Sequence, residues 1–210
     1  MGIFISIEGG EGTGKTTVTD IVTKKLVEEG YDVVRTREPG GIEISEQIRN
    51  VILDSKNTKM DGVTEALLFA AARRQHVVEK LEPLMKENKI IISDRFVDSS
   101  LVYQGIVRKV GLENVWNMNV IAMGDCIPSL TILFDLPPEI GQERINKNKN
   151  REVNRLDKEK IDFHRNIREG YLNVASMYPE RIKVIDANRS VDEIADDMYE
   201  LIKREIKRRG

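Results

Sequence analysis

A glycine-rich segment near the start of the chain, directly after the apolar run Ile3–Ile7, constrains the fold more than any other feature. The segment Gly9-Gly10-Glu11-Gly12-Thr13-Gly14-Lys15-Thr16-Thr17 matches the pattern G-x-x-x-x-G-K-[ST], and apolar residues at helical spacing follow it. Between a strand and a helix, such a segment directs backbone N–H groups and the positive end of the helix at one point. We therefore predict that these nine residues bind ATP, with Lys15 at the β and γ oxygens and Thr16 on Mg²⁺. The alternative is a glycine-rich turn that matches the pattern by chance.

Short apolar runs alternate with helical patterns along the rest of the chain. Four further strands are predicted at Tyr31–Thr36, Ile90–Ser93, Leu130–Asp135 and Arg181–Ile185. Alternation of this kind is typical of a parallel sheet with helices on both faces, which binds ligands at the carboxyl ends of its strands. We expect one α/β domain over residues 1–210, a three-layer α/β/α fold with five parallel strands. The polar, basic stretch at about 144–157 is expected to be a short mobile lid.

Composition excludes several classes of protein. The net charge of -2 argues against a general nucleic-acid binder, whose basic footprint would be obvious. No apolar run approaches the roughly 18 residues of a membrane span, and the glycine-rich segment begins too early to leave room for a leader peptide. One cysteine, Cys126, permits no internal disulfide, so a small buried thiol in a reducing compartment is expected. The chain is therefore predicted to be cytoplasmic, with no membrane or nucleic-acid partner.

The residues around the phosphate-binding loop narrow the chemistry. An Asn-Lys-x-Asp guanine-binding motif is absent, and the chain is too short for a motor ATPase with appended domains. Asp94 and Arg95 directly follow a buried strand, where charged groups favour a ligand site over a structural ion pair. Phe69 and Arg73 lie four apart on one helix face, which suits base binding but also an ordinary core phenylalanine beside a surface arginine. The pattern as a whole indicates phosphoryl transfer between two nucleotides.

Three other polar residues are not expected to take part in that chemistry. His76 and His164 have no metal-ligand spacing and are predicted to be surface groups. Asp135 ends a buried strand before a turn and is expected to have a structural role.

Five segments in register resemble the thymidylate kinase family across nearly the whole chain. They are residues 8–17, Thr36-Arg37-Glu38-Pro39-Gly40-Gly41, Leu67-Leu68-Phe69-Ala70-Ala71-Ala72-Arg73, the run from Asp94 to Gln104, and Asn154-Arg155-Leu156-Asp157. The resemblance implies a P-loop nucleoside monophosphate kinase fold and the conversion of dTMP to dTDP with ATP and Mg²⁺. It also implies a homodimer. Two alternatives stay open at this stage: another deoxynucleotide or nucleoside monophosphate kinase, and a non-catalytic nucleotide-binding protein.

The resemblance also implies roles for the residues that would bind dTMP. These residues are Glu11, Arg37, Phe69, Arg73, Arg95, Ser100, Tyr103 and Gln104. Phe69 would stack on thymine, and Arg73 with Ser100 or Gln104 would bind its polar edge. Glu11 would accept a hydrogen bond from the 3′-hydroxyl, and Tyr103 would lie against C2′ and favour deoxyribose.

The phosphate and metal groups follow from the same resemblance. Arg95 would hold the dTMP phosphate, with Arg37 assisting, and Asp94 would lie near Mg²⁺. The loop itself carries no arginine, so the family's lid form applies, in which Arg151 and Arg155 stabilise the transferring phosphoryl group. Arg144, at the entry to the lid, is a further candidate. The predicted catalytic set is therefore Lys15, Asp94, Arg95, Arg151 and Arg155.

Overall fold

A five-stranded parallel sheet forms the centre of the molecule. The computed structural model describes residues 2–147 and 160–209. The strands are β1 (Ile3–Gly9), β2 (Val33–Arg37), β3 (Ile90–Asp94), β4 (Leu130–Asp135) and β5 (Ile182–Asp186). Their order in the sheet is β2-β3-β1-β4-β5, so the first strand of the chain lies in the middle. The predicted parallel sheet of five strands is confirmed.

Helices connect the strands and cover both faces of the sheet. In the described part of the chain they are α1 (Lys15–Glu28), α2 (Glu43–Leu53), α3 (Gly62–His76), α4 (Glu82–Lys86), α5 (Val97–Ser100), α6 (Leu112–Met123), α7 (Pro138–Lys147), α8 (Ile161–Met177) and α9 (Val191–Arg209). Two π-helical segments accompany them: Val77–Leu81 joins α3 to α4, and Leu101–Val107 extends α5. Such segments often occur at functional sites.

Side chains of β1 alternate between two hydrophobic cores. Ile3, Ile5 and Ile7 pack with residues of α1 and α9 on one face of the sheet. Phe4 points to the other face, where it packs with Val77 and with residues that follow β3. Because both faces are covered, the strand is apolar without alternation, as buried parallel strands are. Each fully buried side chain of this size contributes about 1.5–3 kcal/mol to stability.

The register of the central strands brings three predicted site segments to one edge of the sheet. Ile7 in β1 pairs with Asp94 in β3, and Arg37 in β2 pairs with the same Asp94. The glycine-rich loop leaves β1 two residues later. The carboxyl ends of these three strands therefore carry the loop, the Asp94-Arg95 pair and the Arg37 loop together, as predicted.

One contact between the loop and α7 leaves no space for side chains. Gly12 has a φ of 73°, and a Cβ atom there would lie 2.3 Å from the carbonyl oxygen of Gly141 in α7. A Cβ atom on Gly141 would in turn lie 2.4 Å from the carbonyl oxygen of Glu11. The loop and the helix thus touch main chain to main chain.

The expected burial of the cysteine is confirmed. Cys126 is buried, at 7% exposure. Over residues 2–147 and 160–209, no helix is both long and apolar enough to cross a membrane.

Candidate active site

A cavity of about 480 Å³ opens at the carboxyl edge of the sheet. The residues that line it come from the loop, from the segments after β2 and β3, and from α2, α3, α7 and the π-helical segment after α5. They are Glu11, Gly12, Thr13, Gly14, Lys15, Thr16, Thr17, Arg37, Glu38, Pro39, Arg49, Leu53, Phe69, Asp94, Arg95, Ser99, Tyr103, Gln104, Arg144 and Ile145. The structure therefore joins the predicted ATP loop and most of the predicted acceptor residues in one cavity.

Lys15 begins α1 and is folded against the loop. Its ammonium group donates to the carbonyl oxygens of Gly9 at 3.1 Å and Gly10 at 2.8 Å. Burial lowers the pKa of Lys15, and the charge of Arg95 lowers it further, while Asp94 acts in the opposite direction. A cation that is buried at the positive end of a helix favours the binding of a negatively charged ligand. The geometry suits a polyphosphate.

Arg95 sits in a strained backbone conformation and is held by three side chains. Its φ of 69° lies in the left-handed region, which is uncommon for residues other than glycine. Its guanidinium donates to Glu11 Oε1 at 2.7 Å and to the hydroxyls of Tyr171 at 2.8 Å and Ser99 at 3.3 Å. Burial opposes the charge, but electrostatic interactions with Tyr103, Tyr171 and Glu11 raise the pKa of Arg95 well above its ordinary value. Arg95 is therefore a fixed positive charge on the cavity wall.

Glu8 supports this arrangement from beneath and was not predicted from the sequence. The side chain is fully buried and accepts hydrogen bonds from Ser99 Oγ at 2.6 Å, Tyr171 OH at 3.0 Å and the backbone N–H of Phe96 at 2.7 Å. Burial, followed by the nearby charge of Asp98, raises the pKa of Glu8. The one sequence signal for a role of Glu8 is that an acidic residue interrupts an apolar strand. Tyr171, in α8, gave no signal because its partners lie far away in the chain.

Another part of the cavity wall is aromatic and carries an amide. The Tyr103 ring lies 5.4 Å below the Arg95 guanidinium, and burial raises the pKa of Tyr103 to about 12. Phe69 lines the cavity from α3. Gln104 Nε2 donates to Glu65 Oε1 at 2.8 Å, while Gln104 Oε1 is buried and has no hydrogen-bond partner among the described residues. Aromatic rings beside an acceptor that needs a donor suit a nucleobase.

Arg73 and Ser100 lie behind this wall and do not line the cavity. Arg73 Nε donates to Glu38 Oε2 at 2.7 Å, and Arg73 Nη1 donates to Ser100 Oγ at 3.2 Å. A further short hydrogen bond joins Arg73 to Asn119. The Arg73 side chain is 1% exposed, so it is a buried ion-pair partner and not the surface arginine that helical spacing allowed.

The prediction that His76 lies on the surface is wrong. The residue is 0% exposed, with Nδ1 2.9 Å from Glu38 Oε1 and Nε2 2.7 Å from Thr36 Oγ1. The end of β2 supplies Thr36 and the loop after it supplies Glu38, and together they cover the face of α3 that carries His76. No periodicity within α3 encodes that coverage. His164 is only partly buried.

The groups available to a metal fit Mg²⁺ held largely by phosphates. Asp94 Oδ1 is buried and lacks a hydrogen-bond partner among the described residues, and Asp94 lines the cavity. Thr16 lies next to Lys15 at the start of α1, with an exposed side chain. Residues 2–147 and 160–209 hold no group of three or more histidine, cysteine or acidic side chains suited to a metal. One carboxylate and one hydroxyl are a typical protein contribution to a Mg²⁺–nucleotide site.

Three arginines line the cavity in addition to Arg95. Arg37 and Arg49 both donate to the carbonyl oxygen of Pro39, at 3.0 and 3.1 Å, which places two cations beside the acceptor half of the cavity. Arg49 was not predicted, because it lies in α2 among apolar residues and belongs to no motif. Arg144 donates to the carbonyl oxygen of Ala187 at 3.2 Å and so links α7 to the loop after β5. Arg151 and Arg155 lie outside the described residues.

Comparison with known proteins agrees with this site. The family model described as thymidylate kinase matches residues 7–198. The chain belongs to the thymidylate kinase family. It is 54% identical over 193 residues to a thymidylate kinase from Geobacillus sp. (strain WCH70), covering 92% of each chain. It is 51% identical over 201 residues to one from Oceanobacillus iheyensis, covering 96% of this chain and 89% of the relative. A crystal structure of thymidylate kinase from Ehrlichia chaffeensis superposes with a TM-score of 0.77 at 28% identity, covering 96% of this chain and 98% of that one.

Membership of the thymidylate kinase family makes the chain a nucleotide-binding transferase with the P-loop kinase fold. Asp135 is the last residue of β4. Arg168 in α8 donates to both of its carboxylate oxygens, at 2.7 and 2.9 Å. In this thymidylate kinase family member, Asp135 therefore ties α8 to the sheet, which is the structural role expected of it.

Proposed function

We propose that this chain transfers the γ-phosphoryl group of ATP to dTMP, giving ADP and dTDP for dTTP synthesis. The observation that carries the proposal is that one cavity is lined by the phosphate-binding loop, by Phe69, Tyr103 and Gln104, and by Arg95, which contacts both Glu11 of the loop and the Tyr103 ring. Phosphoryl transfer needs two phosphates aligned and their charge neutralised more than it needs covalent chemistry. This cavity supplies both requirements.

The acceptor base is recognised by the aromatic and amide wall. Phe69 stacks on thymine, and Gln104 Oε1 accepts the thymine N3–H, which would provide the partner that this oxygen lacks among the described residues. Arg73 and Ser100 contribute to the polar edge from behind the wall. Burial raises the pKa of Tyr103 to about 12, so the side chain is a neutral phenol at neutral pH. Its ring lies against C2′ of the sugar and acts by its bulk. A 2′-hydroxyl would then clash.

The acceptor phosphate and sugar are held by charged groups. Arg95 and Arg37 bind the dTMP phosphate, and Glu11 accepts from the 3′-hydroxyl. A carboxylate can accept several hydrogen bonds at once, so the bond from Arg95 to Glu11 Oε1 is compatible with this role. Because Arg95 is fixed by Glu11, Tyr171 and Ser99, little conformational entropy is lost when phosphate binds.

The donor half of the site consists of the loop residues Gly9 to Thr17. Lys15 shifts from the loop carbonyls to the β and γ phosphate oxygens of ATP, and the backbone N–H groups of the loop surround those phosphates. Thr16 and Asp94 would hold Mg²⁺ or its waters, and the bound metal would neutralise charge on the β and γ phosphates. Phosphoryl transfer further requires Arg151 and Arg155. We place them in a short lid at about 144–157, within a chain that forms a single domain.

We also infer a homodimer in the cytoplasm. Exposed apolar side chains on α2, α3 and α6 support the dimer. These helices pack side by side, so their exposed apolar side chains lie close together, as in a protein–protein interface. They are Val51, Val63, Leu67, Val120 and Ile121, with Ile121 81% exposed. The single buried Cys126 agrees with a reducing compartment.

Coupled measurement of ADP release tests the proposal. We expect turnover with dTMP to exceed turnover with dUMP, dCMP, AMP and thymidine, and to depend on Mg²⁺. Equal or better turnover with a purine monophosphate would refute the thymine assignment. Lys15→Ala should abolish transfer without changing the melting temperature.

Arg155→Ala tests the lid. Loss of an arginine at the transferring phosphoryl group should lower kcat by about 10³-fold or more with little change in dTMP affinity. A large loss of dTMP affinity at unchanged kcat would instead make Arg155 an acceptor ligand.

A further inference from the structure

The orientation of one amide in the cavity wall is set by a residue outside it. Gln104 lines the cavity, and its Nε2 donates to Glu65 Oε1 at 2.8 Å. Glu65, in α3, is 1% exposed and is not among the residues that line the cavity. Arg108 Nε lies 3.6 Å from the same carboxylate oxygen. Glu65 therefore forms an ion pair with Arg108 as well as the hydrogen bond to Gln104.

An ionised carboxylate determines which end of a neighbouring amide it meets. The Glu65 carboxylate can only accept hydrogen bonds, so it selects the NH₂ group of Gln104 and excludes the carbonyl oxygen. A flipped amide would place Gln104 Oε1 against a negatively charged oxygen at hydrogen-bonding distance. The carbonyl oxygen is therefore the atom left over, and it is buried without a hydrogen-bond partner among the described residues.

We propose that Glu65 is a positioning residue for base selectivity, which fixes the Gln104 amide so that only its carbonyl oxygen meets the base. This proposal rests on the proposed function, because it names what makes that site select thymine. An acceptor held in this way requires a donor at ring position 3 of the base. Thymine carries N3–H and satisfies it. A cytosine base presents an unprotonated N3, so two acceptors face each other and a hydrogen bond is lost.

The most direct test compares dTMP with 5-methyl-dCMP. The two nucleotides share the 5-methyl group, sugar and phosphate, and they differ in the donor or acceptor character of N3 and of the group at position 4. Replacing Glu65 by glutamine removes the constraint, because a glutamine amide can donate to Gln104 Oε1 as readily as it can accept from Nε2. The ratio of kcat/KM for dTMP to that for 5-methyl-dCMP should fall by about tenfold or more, the usual effect of a mismatched hydrogen-bonding group. The kcat for dTMP itself should fall by no more than about twofold, since the correct orientation stays accessible.

The chain offers a matched control for this variant. Gln75 Nε2 donates to Glu79 Oε2 at 3.0 Å, the same pair of groups on the exposed surface. Glu79→Gln should leave the selectivity ratio unchanged. If Glu65→Gln does not fold, as judged by thermal melting, Glu65→Met carries the same expectation, because it also removes the carboxylate that orients the amide, at similar volume.

A double mutant separates positioning from a general structural effect. Gln104→Ala should lower the selectivity ratio by itself, and adding Glu65→Gln to it should lower the ratio no further. An unchanged ratio in Glu65→Gln would overturn the inference, and so would an equal effect of Glu65→Gln in the presence and absence of Gln104. Neither result would affect the proposed function, provided that the wild-type protein phosphorylates dTMP. A wild-type protein that does not phosphorylate dTMP would overturn both.

Discussion

Replacing Glu38 by glutamine should destabilise the fold strongly, although Glu38 belongs to a loop. Its carboxylate accepts from Arg73 Nε at 2.7 Å, and the two side chains are 3% and 1% exposed. The other acceptors that the structure shows for Arg73, Ser100 and Asn119, are neutral. Glutamine would keep the shape but remove the one negative charge that, among the described residues, is in direct contact with the buried guanidinium. Breaking one side of a buried pair costs about 3–5 kcal/mol.

The second oxygen of Glu38 adds to this effect. It lies 2.9 Å from His76 Nδ1, so the carboxylate contacts Arg73 and His76 at once. A glutamine presents one acceptor oxygen and one NH₂ group, and cannot replace both carboxylate oxygens. The expected loss therefore lies at the upper part of that range.

Urea unfolding followed by the fluorescence of Trp116, the only tryptophan of the chain, measures the effect. The Trp116 ring stacks on Tyr178 with ring centroids 6.2 Å apart, and unfolding will disrupt that contact. For a slope of about 2 kcal/mol/M, a loss in the upper part of that range should lower the midpoint by about 2–2.5 M at equal protein concentration.

An exposed ion pair provides the control. Asp20 pairs with Arg35, and their side chains are 57% and 37% exposed. Asp20→Asn should change the free energy of unfolding by only about 0–1 kcal/mol, because solvent screens the pair. If Glu38→Gln shifts the midpoint no more than Asp20→Asn does, the buried pair does not contribute as its geometry indicates.

Three further predictions concern buried groups whose pKa values depart from the ordinary. Burial and Asp98 raise the pKa of Glu8, so the folded state keeps a proton that the unfolded state releases, and stability contributed at Glu8 falls as pH rises from about 4.5 through the raised value. The stability difference between wild type and Glu8→Gln should therefore change with pH across that window in urea titrations, and parallel curves for the two proteins would contradict it. Tyr103→Ala should lower the preference for dTMP over the ribonucleotide 5-methyl-UMP in kcat/KM by about tenfold, whereas Tyr103→Phe should hardly change it. A comparable loss in Tyr103→Phe would show that the hydroxyl, not the bulk of the ring, selects the sugar. Burial raises the pKa of Cys126, so iodoacetamide at pH 8 should alkylate the native protein at least about tenfold more slowly than the unfolded chain, as followed by mass spectrometry. Similar rates in both states would indicate that the thiol is accessible.

The fold was predictable because its signals are local. The run Ile90–Ser93 has no alternation, so it indicated a strand buried on both faces, and β3 is such a strand. Ser190 and Glu193 have the spacing of a capping box at the start of α9, and the structure shows both of its hydrogen bonds, at 3.0 and 3.3 Å. Boundaries were less accurate: the strand predicted at Tyr31–Thr36 is observed at Val33–Arg37.

The site was predictable only where a motif or a strand end marked it. The loop and Arg95 fall in those places. The buried residues that support the site have no such marker. Glu8 contacts Tyr171, and Arg73 contacts Glu38, only after the sheet has formed. The position of His76 was misjudged for the same reason, since its burial depends on a loop about 40 residues earlier in the chain. Non-local hydrogen bonding has no periodicity that a single sequence reveals.

The contact between Gly12 and Gly141 has a consequence for how this enzyme can vary. Every substitution at either position introduces a carbon atom into space already occupied by main chain, and at Gly12 it also strains the backbone. Compensation would require a helix to move away from the donor site, which no single neighbouring substitution can achieve. A growth-selected library saturated at both positions should therefore retain almost only glycine codons, and mutants resistant to a nucleotide-mimicking antibiotic should arise elsewhere in the gene.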